Sequence, residues 1–151
     1  MLRRPSDEHK PTDPGRMGSS AVACRAMCFA SLDRTARAAR GFVVETLARW
    51  DRAERADDIR LCASELVTNA LVHGASDGGH VLVHVELHDT TLRLEVHDAG
   101  DGTPAERSPE DTADDGRGLL LVSALADQWG VEARQGSGKC VWATFDRTRI
   151  T

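Results

Sequence analysis

Lysine is nearly missing from this chain. Of its 19 Lys and Arg residues, only Lys10 and Lys139 are lysine. There is also no apolar run near the ~20 residues that a membrane-spanning helix needs. Residues 1–18 are polar, contain Pro5, Pro11 and Pro14, and lack the apolar centre of a secretory signal. Positive charge is not in excess: the net charge is −5, which disfavours nonspecific binding to nucleic acid. No C-x-x-C pair occurs among Cys24, Cys28, Cys62 and Cys140. These absences point to a cytoplasmic protein with reduced thiols, no membrane association and no direct nucleic-acid partner. No internal repeat is present.

What is there suits one globular domain. At 151 residues the chain is long enough to bury its own core, and 40% hydrophobic with 28% charged residues is an ordinary soluble balance. Residues 1–20 are rich in Pro, Gly, Ser and charge, and are expected to form a mobile tail. The domain is expected over residues 21–147.

Val22 to Phe29 suits a first strand. From Leu32 to Trp50, the positions Leu32, Ala36, Ala39, Val43 and Leu47 recur at helical spacing, with Ser31 or Asp33 as the expected cap. A second helix should run to His73, capped by Asp57 and ended by Gly74. Val81, Val83, Val85 and Leu87 then alternate with polar residues, and Leu92, Leu94 and Val96 continue the alternation after Asp89-Thr90. Residues 99–116 read as a long loop. Leu119 to Ala126 looks helical. Trp129 to Arg134 and Cys140 to Phe145 read as strands around Gly136-Ser137-Gly138. Hairpins with helices grouped on one face make an α+β, two-layer α/β sandwich.

Three segments carry chemistry. In Glu65-Leu66-Val67-Thr68-Asn69-Ala70-Leu71-Val72-His73-Gly74, Glu65 and Asn69 lie about 40° apart on an ideal helix. They sit beside the apolar stripe of Ile59, Ala63, Leu66, Val67 and Ala70. The Asn carbonyl oxygen suits Mg²⁺, a hard cation, and Glu can take a proton from a hydroxyl. Asp98-Ala99-Gly100-Asp101-Gly102 places a carboxylate at a strand end, where it can accept from the amino group of a base. Gly100 and Gly102 leave room for a flat ring. Gly116-Arg117-Gly118-Leu119 opens a helix, where backbone N–H groups and Arg117 can cradle phosphate.

Each segment alone has a blander reading, as a solvated helix edge, a turn or a helix start. Other signals are discounted. His80, His84 and His88 stand about 13 Å apart from one to the next on a strand, too far for one metal. Trp50, Trp129 and Trp142 read as packing anchors, and Arg34, Arg37 and Arg40 as a solvated helix face.

In this order, the segments resemble the N, G1 and G2 boxes of the GHKL ATPase family, over roughly residues 25–146. The spacing is most similar to the small bacterial anti-sigma-factor serine kinases. The resemblance implies the GHKL sandwich, with a mixed, mostly antiparallel sheet covered on one face by helices. It implies ATP and Mg²⁺ as cofactors, with Glu65 as general base and Asn69 as Mg²⁺ ligand. It implies Asp98 on the adenine amino group, with Gly100 and Gly102 shaping that side. Gly116, Arg117, Gly118 and Leu119 fall at the phosphate lid. His73 matches a histidine common in the subgroup and is given no catalytic role.

One position departs from the family pattern. Lys139 stands where the last box often has a Thr that helps hold adenine through water, and Lys cannot accept a hydrogen bond.

The function implied is an ATP-dependent serine/threonine protein kinase. It would sequester a sigma factor and phosphorylate an anti-anti-sigma protein; homodimers are common in the subgroup. The alternative is a nucleotide-dependent protein-binding module with little or no catalysis. A plain interaction domain would make the three ordered motifs a coincidence.

Overall fold

The computed structural model describes residues 21–73, 79–98, 119–133 and 138–147. The expected N-terminal tail, the 99–116 loop and Gly74 lie outside the described residues. So do Gly136 and Ser137 of the last turn.

Strand β1 (Ala23–Ala30) is followed by helices α1 (Thr35–Arg49) and α2 (Ala56–His73). Strands β2 (His80–Leu87) and β3 (Thr91–Asp98) form the expected hairpin. A helix over 119–125, here α3, precedes β4 (Gln128–Ala133) and β5 (Lys139–Asp146).

The sheet order is β1-β2-β3-β5-β4. Every pairing among the described strands is antiparallel, so the sheet expected to be mixed but mostly antiparallel is wholly antiparallel there. The reason lies in the connection between β1 and β2. One crossover helix would return the chain parallel. Two helices bring it back to the end it left, where Ser31 N–H donates to Gly79 C=O at 3.0 Å.

Helix α1 begins without either expected cap. Arg34 is the N-cap residue and no side chain caps it. The Thr35 hydroxyl donates to Ala30 C=O and accepts from Leu32 N–H, tying the helix start to the strand end. Asp57 is likewise no cap: with Asp58 it lies inside the first turn of α2, where carboxylates oppose the helix dipole favourably. Helix α1 ends where Asp51 takes a left-handed conformation (φ 56°) and the Asp51 and Arg52 N–H groups close on Ala48 and Leu47.

The core lies between the helices and one sheet face. Leu47, Leu66 and Val67 meet Val83, Val85, Leu94, Val96 and Phe145, all essentially dry. Burial also pushes the Cys62 thiol up to about 12, with the Asp58 carboxylate adding to the effect. Trp50 and Trp129 pack against this core, as expected of anchors.

Candidate nucleotide site

Sheet register gathers several chain ends at one end of the sandwich. Ala30 pairs with His80, Val81 with Asp98, and Asp98 with Lys139. Helix α2 enters the same end, because its last residue is joined to β2 through residues 74–79.

Glu65 and Asn69 sit in the C-terminal half of α2 and are half-buried, flanked by buried Leu66, Val67 and Ala70. The rim position inferred from helical spacing is therefore found. The Asn69 Oδ1 atom is buried and accepts no hydrogen bond from the described residues. An orphaned buried carbonyl oxygen costs stability, so it wants a donor or a cation. Its hard oxygen chemistry fits Mg²⁺.

Asp98 closes β3 with its side chain on the helix-facing side, in step with Val96 and Leu94. It is only 4% exposed. Its cross-strand neighbour Lys139 brings Nζ to 3.5 Å from Asp98 Oδ2. Thr144 cannot supply the missing family hydroxyl here. It pairs opposite Arg93, on the other face of the sheet.

Leu119, the first described residue of α3, packs partly buried against the core. Gly100, Gly102, Gly116, Arg117 and Gly118 lie outside the described residues. A shallow depression lined by Glu54, Arg55, Asp57 and Asp58 lies at the opposite end of α2.

Sequence reasoning missed Arg55. Its guanidinium is buried and donates to Asp127 Oδ2 at 2.8 Å, Leu125 C=O at 2.6 Å and Asp146 C=O at 3.1 Å. It thereby ties the start of α2 to the end of α3 and to β5. No periodicity signals such a residue, since its partners come from distant segments.

The helix-free face is polar, as expected for the His80, His84 and His88 side, but it is also an ion network. Glu95 accepts from Arg93 Nε at 2.6 Å, and hydrogen-bonds His97 Nε2 at 2.8 Å and His84 Nδ1 at 3.3 Å. Burial alone would raise its carboxyl. The bonds from His84 and His97 and the Arg93 charge outweigh that and hold it far below the usual carboxylate range. Glu95, His97 and Cys140 bring ligand-type atoms within 4.8 Å of one another, but Arg93 already matches the Glu95 charge.

Against this geometry, the family description "Histidine kinase-like ATPase domain" matches residues 29–145. The chain belongs to that family. An anti-sigma F factor of Clostridium acetobutylicum is 33% identical over 94 residues, covering 56% of this chain and 66% of that protein. An anti-sigma F factor of Pasteuria penetrans is 32% identical over 127 residues, covering 76% of this chain and 85% of that one. The fold of this histidine kinase-like ATPase domain is also that of a solved structure, the RsbU and RsbW domains of a Mycobacterium tuberculosis protein. The TM-score is 0.63 at 23% identity, over 82% of this chain and 32% of that one.

Proposed function

We propose that this chain is an ATP-dependent protein serine/threonine kinase that sequesters a sigma factor and phosphorylates an anti-anti-sigma antagonist. Membership of the kinase-like ATPase family supports the first half. Similarity to two proteins named anti-sigma F factor supports the second. Among the described residues no helix is long and apolar enough to cross a membrane.

The observation that carries the reading is Asn69 Oδ1, a buried acceptor with no partner among the described residues, one helical turn from Glu65. Asn69 would hold Mg²⁺, which when bound supplies charge neutralisation at the phosphates. Asp98 accepts from the amino group of adenine. Glu65 takes the proton of the acceptor hydroxyl or orients that hydroxyl. The glycines of the second and third segments would let the main chain approach base and phosphate closely.

Calorimetry of ATP binding with and without Mg²⁺ tests the pocket. Wild type should bind only weakly without Mg²⁺, Asn69→Ala should lose the Mg²⁺ dependence, and Asp98→Asn should lose binding. Acid-stable phosphate on the antagonist tests catalysis, and Glu65→Gln should slow its appearance by about 100-fold or more. Binding of Mg·ATP without phosphate transfer would replace the kinase with a nucleotide-dependent binding module. No nucleotide binding at all would sink both.

A further inference from the structure

Lys139 is absorbed by none of the roles above, yet it stands directly across from Asp98 at the mouth of the proposed pocket. Below the pair, on the same face, Val96 and Val141 are 1% and 4% exposed. The floor beneath the pair is therefore apolar, and Lys139 sets a cation directly beside the Asp98 carboxylate above it. That combination suits a flat aromatic ring with a polar edge.

The ion pair is loose. At 3.5 Å, Nζ and Oδ2 are farther apart than a charge-assisted hydrogen bond of about 2.7–2.9 Å. The ammonium has three N–H donors, more than one carboxylate contact uses. The Lys139 side chain is 22% exposed, against 5% for that of Asp98, so the cation lies outermost. A carboxylate can only accept and an ammonium can only donate. Adenine shows the complementary order on one edge: the 6-amino group donates and the adjacent ring nitrogen N1 accepts.

We infer that Lys139 is a base-edge residue that donates directly to adenine N1 while Asp98 accepts from the 6-amino group. This rests on the proposed ATP pocket and assigns a specificity role within it. It also explains how a lysine is accommodated where a hydroxyl would hold a water: the cation replaces that water as the donor. The purine is then gripped at two adjacent atoms by residues on two paired strands.

The test compares Mg·ATP with Mg·1-deaza-ATP, in which N1 is replaced by carbon, on the full chain by calorimetry. Wild type should prefer ATP by about tenfold or more, the scale of a hydrogen bond to a charged group. Lys139→Met should lose about that factor for ATP and stop distinguishing the two nucleotides. Lys139→Arg should recover part of the preference, and it serves if the Met variant does not fold. A Met variant that binds ATP as tightly as wild type, or keeps the preference for ATP, overturns the inference and leaves the pocket standing. Wild type binding neither nucleotide overturns the pocket itself.

Discussion

The helix-covered face of the sheet and the centre of its bare face are both dry, but for different reasons. On the covered face, Val83, Val85, Leu94 and Val96 are at most 1% exposed and meet apolar side chains of α1 and α2. On the bare face, Arg93 and Glu95 are 1% and 3% exposed, and no described helix packs there. Burial on that side is achieved by neighbours within the sheet. The Arg93 guanidinium lies 4.5 Å from the Trp142 ring centroid, Glu95 bridges three donors, and His88 reaches Glu86 at 3.2 Å. The covered face tolerates loss of any one contact in proportion to area. The bare face depends on charge balance, where removing one member strands the others.

Breaking the bare face should therefore cost most. Glu95→Gln should destabilise by about 3–5 kcal/mol in urea unfolding, because a buried guanidinium loses its counter-charge. The pH dependence has a definite sign. The folded-state value of Glu95 lies below its ordinary 4.5, so its contribution is full above about pH 4.5. It is lost as pH falls below that. Wild type should weaken steeply on acidification there, and the Gln variant should weaken less.

On the covered face, Leu66→Ala should cost about 2–5 kcal/mol without changing the pH profile, because a cavity carries no charge. A pH-dependent Leu66→Ala effect would blur the contrast between the faces. Gly130→Ala sharpens it from the bare side. The new Cβ would lie 2.7 Å from Trp142 Cζ2, pressing the ring that stacks on Arg93. A loss of about 1–3 kcal/mol is expected, seen as a lower melting temperature and altered Trp fluorescence.

The smallest effect belongs to the site. Asn69→Leu removes an orphaned buried oxygen, so stability without ligand should hold or rise by about 1 kcal/mol. The same variant should lose Mg²⁺-dependent ATP binding. A large destabilisation would mean that Asn69 is structural.

Much of this was legible in the chain. Alternation at Val81 to Leu87 and Leu92 to Val96 located the hairpin, and helical spacing located α1 and α2. The Glu65–Asn69 interval put both on one side of α2 at the core's rim. Helix starts were less legible. Asp57 is a good cap by type, yet the helix begins one residue earlier, at Ala56. Thr35 is used to fasten strand to helix because Ala30 C=O lies within its reach.

By itself, the sequence determined the periods, the apolar faces and the order of the three motifs, since these depend on residues a few positions apart. Tertiary structure alone decided the rest. It put β5 between β3 and β4, set Lys139 against Asp98, closed Arg55 on Asp127 and Leu125, and assembled Arg93, Glu95, His97 and Trp142 into one network. Those contacts join segments far apart in the chain. Sheet register fixes them, and a slip of one residue would turn Lys139 to the opposite face from Asp98.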